Sequence, residues 1–279
     1  MPTGTGQQLR MSRLIDPRTG HGFCIALDHA LQFGISPGNG HPEALLDLMA
    51  EAGVDGVILS LGTALRLGNR LARRGGPALI LRLDQTTMWR EGTPLAYRDG
   101  MTRLVASVAD AVTLGADAVI TYLFFGHADP ALETKSFEDC AAVNAAARAA
   151  GMPHVIETMG ARGGLARDVF DPELIAFHTC VGAEMGADII KTDWPGSAAA
   201  LRPITAALPV PVLMAGGPRQ TSDLGTLQLV AEVMRGGAAG ILFGRAIFGA
   251  DNPLAVLRAC RAIIHDDATV KTAAALAGL

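Results

Sequence analysis

Lys191 carries the most chemical information in the chain. It interrupts the apolar run of GADIIKTDWPG and is one of only three lysines, with Lys135 and Lys271. An unpaired ammonium in apolar surroundings is costly, so this lysine must face a site or meet a carboxylate such as Asp28 or Asp193. Desolvating a lysine favours the neutral amine, the form that attacks a carbonyl to give a Schiff base. A Schiff-base lysine and a salt-bridged lysine both satisfy the pattern. Other reactive types recur at the ends of apolar runs: Asp28 and His29 after FCIAL, Tyr122 within AVITYLF, Glu157 within HVIET and Asp193 after DIIKT. Asp28 is a candidate to move protons beside an imine or to hold substrate hydroxyls. Glu157 is a candidate acid/base if desolvation raises its pKa, and equally a candidate partner for Arg162. Tyr122 is a second candidate proton donor, or a packed core tyrosine with a satisfied hydroxyl. MAGGPR and FGRAIFG are glycine-rich turns entering helical segments. The backbone N–H groups of Gly216, Gly217 and Gly244, with Arg245 beside them, suit a phosphate, and His29 and Asp193 join them as substrate-binding candidates.

These residues need a frame. The apolar runs 23–27, 56–60, 78–83, 118–124, 154–158, 188–192, 211–215 and 240–244 are short and rich in Val, Ile and Leu. Such runs are strands of a parallel sheet covered on both faces. Helical periodicity is expected over 41–53, 99–115, 136–151, 171–186, 226–237 and 253–266. Several of these segments end in Gly just before the next strand, as a helix C′ position favours. Eight strands alternating with helices, and no GxGxxG after the first, predict an α/β fold: a single-domain (β/α)8 TIM barrel. Residues 1–20 read as a lead-in and 21–279 as the barrel with a terminal helix over 265–279. In such barrels the chemistry sits at the carboxyl ends of the strands, where the residues above fall. Loop residues Asp84, Gln85, Trp89, His127 and Trp194 are expected to shape the mouth and the specificity.

Composition narrows the function. The 279 residues are 49 % hydrophobic and 18 % charged, with net charge −4. That excludes a disordered chain, and no basic field points to nucleic acid or an anionic membrane. Four cysteines, Cys24, Cys140, Cys180 and Cys260, lack zinc or CxxC spacing and read as free thiols in a reducing compartment. No HxH or HExxH occurs, and His127, His154 and His178 are expected on loops or element surfaces, so no metal and no cofactor is expected. The N-terminus lacks a signal-like apolar stretch and no run spans a bilayer, so a cytoplasmic protein without membrane attachment is expected.

IALDHALQFG, GADIIKTDWPG, PVLMAGGPR and GAAGILFGRAIFGADNP follow the order of signatures in the archaeal-type class I aldolases. This DeoC/LacD-like group includes fructose-bisphosphate aldolases, aminodideoxyheptulosonate synthases and the autoinducer-2 phosphate thiolase. The resemblance spans about residues 20 to 270. It implies a metal-independent carbon–carbon lyase of carbohydrate metabolism and a homo-oligomer, a decamer being one ring-like form. It implies Lys191 as the Schiff-base lysine, Asp28 as the aspartate after the first strand, and Gly216, Gly217, Gly244 and Arg245 as phosphate ligands. One position departs: family aldolases carry a motif like MYPRG whose Tyr is the acid/base, and here TMGARG puts Gly160 in its place. Glu157 is the candidate replacement and Tyr122 the second.

Three readings follow. The first is a class I aldolase acting on a small phosphorylated ketose or ketone through Lys191. The second is thiolase-like acyl transfer from a phosphorylated dione to coenzyme A. The third is a non-catalytic barrel that binds a phosphate ester.

Overall fold

The computed structural model describes residues 4–35, 40–96, 100–165, 167–217 and 220–279. Among these residues there are ten strands: β1 (Gly22–Ala26), β2 (Gly56–Ser60), β3 (Ala78–Arg82), β4 (Asp84–Thr86), β5 (Thr102–Leu104), β6 (Ala118–Phe125), β7 (His154–Gly160), β8 (Ile189–Thr192), β9 (Val212–Ala215) and β10 (Gly240–Phe243). Eight of them close a barrel in the order β1, β2, β3, β6, β7, β8, β9, β10, all neighbours parallel. The expected (β/α)8 architecture is the observed one, and every apolar run named above is a barrel strand.

Two apolar layers follow from the period-two alternation of each strand. Residues pointing inward, among them Ala26, Ile58, Ile80, Ile120, Val155, Ile189, Leu213 and Leu242, fill the barrel interior. Leu14, at the end of the helix Thr5–Leu14, belongs to the same cluster, so the lead-in segment packs against the barrel interior. Residues pointing outward, such as Phe23, Val57, Leu81 and Val119, pack beneath the helices as the larger core. The helices Pro42–Ala52, Pro130–Ala149, Pro172–Glu184, Asp223–Arg235 and Pro253–His265 match the periodic segments. Gly53 ends the first of these at φ +72°, the left-handed conformation that glycine adopts without a Cβ penalty.

Three expectations are corrected. The segment 99–115 is not one helix: Thr102–Leu104 pairs antiparallel with Asp84–Thr86, and only Val108–Thr113 is helical. The C-terminal helix is Val270–Ala277, separate from Pro253–His265. His154 and His178 are buried in the interior, not on a surface. His154 shares hydrogen bonds with Thr121 Oγ1 at 2.8 Å and Asn144 Oδ1 at 2.6 Å, and burial pushes its pKa down to about 3. It is a neutral structural link between β6, β7 and the helix Pro130–Ala149. Among the described residues, no helix is long and apolar enough to cross a membrane.

Candidate active site

The same alternation that fills the interior sets the site. Two positions beyond the apolar interior residue, seven of the eight barrel strands carry a different kind of residue, β9 alone continuing apolar from Leu213 to Ala215. Asp28 follows Ala26, Ser60 follows Ile58 and Arg82 follows Ile80. Tyr122 follows Ile120, Glu157 follows Val155, Lys191 follows Ile189 and Gly244 follows Leu242. Parallel register puts Tyr122 beside Glu157 and Glu157 beside Lys191. Five of these positions, on β1, β3, β6, β7 and β8, carry ionisable groups that rest on the apolar interior layer.

These groups form one cluster. Lys191 Nζ lies 2.7 Å from Glu157 Oε1. Glu157 Oε2 accepts a second bond from Arg82 Nη2. Arg82 also donates from Nε to Asp28 Oδ2 at 2.8 Å and from Nη1 to Asp84 Oδ1 at 3.3 Å. Its guanidinium sits 4.0 Å from the centroid of the Tyr122 ring, a cation–π contact. Arg82 is fully buried, and Asp28, Asp84, Glu157, Lys191 and Asp193 are each less than a tenth exposed. Lys191 thus pairs with Glu157, not with Asp28 or Asp193. Glu157 does not pair with Arg162, whose guanidinium stacks 4.7 Å from the Trp89 ring centroid.

Burial and charge pull these groups in different directions. Burial raises the Asp28 carboxyl, but Arg82, His29 and Lys191 outweigh it, so Asp28 is held below the ordinary carboxylate range. Burial pushes Asp84 up to about 7 against the pull of Arg82. It pushes Asp193 to about 7 as well, reinforced by Glu157 and opposed by Lys191. The Tyr122 phenol is driven well above its usual value by burial, with Arg82 opposing, so near neutral pH it keeps its proton. His29 is lowered by burial, against Asp28, which favours its neutral ring.

All ten sequence-predicted site residues line one cavity: Asp28, His29, Tyr122, Glu157, Lys191, Asp193, Gly216, Gly217, Gly244 and Arg245. Trp89, Arg162, Gln32 and Phe33 also line it. Arg245 stacks 5.3 Å from the Phe33 centroid, and burial and the neighbouring Arg162 lower its pKa. Among the described residues no ion pair reaches Arg162 or Arg245. Of the loop residues expected at the mouth, Trp89 is there. Asp84 lies beneath the cavity on Arg82, Gln85 turns to the Thr86 carbonyl at 2.7 Å, Trp194 packs on the core, and His127 lines a separate recess.

Sequence reasoning missed Arg82. The signal was present: ALILRL holds an arginine inside an apolar run, as DIIKT holds Lys191.

The glycines have packing reasons of their own. A Cβ on Gly216 would sit 2.8 Å from the Phe243 ring, and one on Gly244 would sit 2.8 Å from His29 Nε2 and closer still to Cε1. Gly217 has φ +60°. Gly244→Ala is therefore expected to cost about 1–3 kcal/mol through overpacking. A thermal melt measures this, and His29→Ala added to Gly244→Ala should recover part of the loss. No recovery would mean that the His29 contact does not set the requirement for glycine.

A closed parallel barrel with a buried lysine–carboxylate cluster at its carboxyl end defines a (β/α)8 protein with an enzyme-like site. The chain belongs to the DeoC/LacD family of aldolases, whose model matches residues 21–250. It is 33 % identical over 272 residues to the 2-amino-4,5-dihydroxy-6-oxo-7-(phosphonooxy)heptanoate synthase of Streptomyces griseus, covering 98 % of this chain and 95 % of that protein. It is 30 % identical over 254 residues to the class 1 fructose-bisphosphate aldolase of Thermoproteus tenax, covering 89 % and 91 %. Among solved structures it is similar to an archaeal fructose-1,6-bisphosphate aldolase whose catalytic Lys is covalently bound to a carbinolamine intermediate. There the TM-score is 0.80 at 28 % identity, over 92 % of this chain and 99 % of that one.

Proposed function

We propose that the protein is a class I aldolase that makes or breaks a carbon–carbon bond in a small phosphorylated ketose through an imine on Lys191. The observation that carries this reading is the buried Lys191–Glu157 pair, 2.7 Å apart, lining a cavity that also holds Arg162 and Arg245, neither of which makes an ion pair among the described residues. In the cleavage direction the Lys191 amine adds to the substrate ketone and the carbinolamine loses water to give an iminium. The iminium accepts the electron pair of the adjacent carbon–carbon bond. That bond breaks as the hydroxyl on the far carbon gives its proton to Glu157, and an aldehyde leaves. Glu157 then returns the proton to the enamine carbon, and water releases the product ketone and the free lysine. Proton transfer by a positioned side chain contributes about 10²–10⁴ in rate. Asp28, held anionic, suits a substrate hydroxyl. Tyr122 holds its proton too firmly to act as a base, which favours Glu157 for the shuttle.

Phosphate would be received by Arg245 and the backbone at Gly216, Gly217 and Gly244, fixing the ketone against Lys191. The names of the two relatives above describe compounds with a ketone next to a phosphorylated carbon, which supports that donor class. Gly160, where the family aldolases carry a tyrosine, faces Leu165 and Val169. A Cβ there would lie 3.0 Å from Leu165 Cδ1 and 3.1 Å from Val169, a tight fit, and with no side chain at Gly160 the proposed shuttle is Glu157.

Borohydride trapping with a panel of phosphorylated ketoses, dihydroxyacetone phosphate included, tests the reading. A reduced adduct on the Lys191 peptide is expected, and only Lys135 and Lys271 compete for assignment. Binding of phosphate esters without any adduct would sink it and leave a binding protein or a non-covalent enolising enzyme.

A further inference from the structure

Arg82 does not line the cavity, yet it touches three of the site's carboxylates with three different nitrogens. It occupies the Oε2 side of Glu157 and leaves Oε1 to Lys191. It occupies Oδ2 of Asp28 and leaves Oδ1 toward His29, whose Nδ1 is 3.9 Å away. Asp84, the third partner, is itself tied to β6 by the Tyr122 backbone N–H at 2.6 Å. The Tyr122 ring covers the guanidinium face. The Arg82 guanidinium is therefore held from four directions: by Asp28 just after β1, by Asp84 in β4, by Tyr122 in β6 and by Glu157 in β7.

We propose that Arg82 is a positioning residue that clamps one oxygen of Glu157 and one of Asp28 so that the other oxygen of each, Oε1 beside Lys191 and Oδ1, is presented to the substrate carbons. The proposal rests on the reading of Lys191 as the imine lysine and Glu157 as its proton shuttle. A carboxylate on two (Asp) or three (Glu) rotatable side-chain bonds is better fixed in one orientation when its second oxygen is held. A guanidinium fork holds it with separate nitrogens in fixed directions, whereas a lysine at the same place offers one nitrogen on a flexible stem and no fixed geometry. Removing the clamp leaves the Lys191 amine and the cavity in place but lets the Glu157 carboxylate swing. The proton-transfer steps then slow while the covalent adduct still accumulates. The other charged groups around the cluster, Asp193, His29, Arg162 and Arg245, stand on its cavity side and make no ion pair with Arg82.

The test separates adduct from proton transfer. Arg82→Met, Arg82→Lys, Glu157→Gln and the Arg82→Met/Glu157→Gln double variant are compared with the parent. Circular dichroism melts report folding. The equilibrium yield of borohydride adduct from dihydroxyacetone phosphate reports the imine. Solvent deuterium exchange into its hydroxymethyl carbon, followed by NMR, reports proton transfer. Arg82→Met is expected to keep at least half of the adduct yield and to lose exchange by about a hundred-fold. The double variant should be no slower than Glu157→Gln alone, because Arg82 acts through Glu157. Arg82→Lys keeps a cation in the strand and should lose exchange by at least about ten-fold, and it decides the matter if Arg82→Met does not fold. Exchange at the parent rate in a folded Arg82 variant would overturn the proposal, as would adduct and exchange falling together in step with the melt. Absence of any adduct in the parent would instead overturn the reading of Lys191.

Discussion

Lys191→Met is expected to lower turnover of a phosphorylated ketose by at least about ten-thousand-fold while leaving the fold intact. The loss follows from the chemistry: without the amine there is no iminium to accept the electrons of the breaking bond. The survival of the fold follows from the cluster. Removing one partner of a buried ion pair usually costs about 3–5 kcal/mol, because the other charge is stranded. Glu157 is not stranded here, since Arg82 still holds its Oε2. A methionine also fills nearly the same volume with an adaptable apolar chain. The expected picture is a protein that melts close to the parent, binds phosphate esters and gives no reduced adduct by mass spectrometry. Turnover above about one per cent of the parent would remove Lys191 from the reaction.

A second large effect concerns pH. Asp193 is buried, is pushed to about 7, and receives no hydrogen bond from the described residues. In the unfolded chain it titrates near its ordinary 3.8. Between about pH 4 and 7 the folded state therefore keeps a proton that the unfolded state has lost, and stability falls as pH rises. The penalty is absent below about pH 4 and complete above about pH 7. A shift of roughly three pKa units corresponds to about 4 kcal/mol at most. Asp84 shifts to the same value and contributes in the same direction. Asp193→Asn removes one of the two ionisations. Its stability relative to the parent is expected to improve steadily from pH 4 to pH 8, by up to about 4 kcal/mol. Urea unfolding at several pH values measures this. A gap between the two proteins that does not change with pH would mean that Asp193 is ionised in the fold throughout the range.

Much of this was legible before any coordinates. The eight strands could be read because each is a short apolar run bounded by turn residues. Lys191 and Glu157 stood out because they violate that pattern near the ends of their runs. Arg82 violates it equally, and the same physical argument applied to ALILRL leads to it. What could not be read is which carboxylate meets which cation. The pairing of Lys191 with Glu157 and not Asp28 depends on the register of β7 against β8, and no local pattern reports register. The hairpin Asp84–Thr86 with Thr102–Leu104 was hidden for another reason. Met101, Leu104, Val105 and Val108 repeat at helical spacing, and tertiary pairing with Asp84–Thr86 overrides that periodicity. The glycine turns were found, but part of their cause was not visible: Gly244 is small because His29 packs against it.

That hairpin has a consequence for how the protein could diversify. It leaves the ring between β3 and β6 and pairs only with itself, so no barrel strand depends on its backbone. Yet Trp89 lies between its two strands, and its ring meets Phe124 and Arg162 and forms part of the cavity wall. Lengthening or rewriting the stretch between its strands would remodel the wall without shifting the register that sets Lys191 beside Glu157. A directed-evolution library aimed at ligand range therefore belongs on the exposed residues of this loop, with Met88, which is buried against Tyr122, Phe124 and Met159, left unchanged.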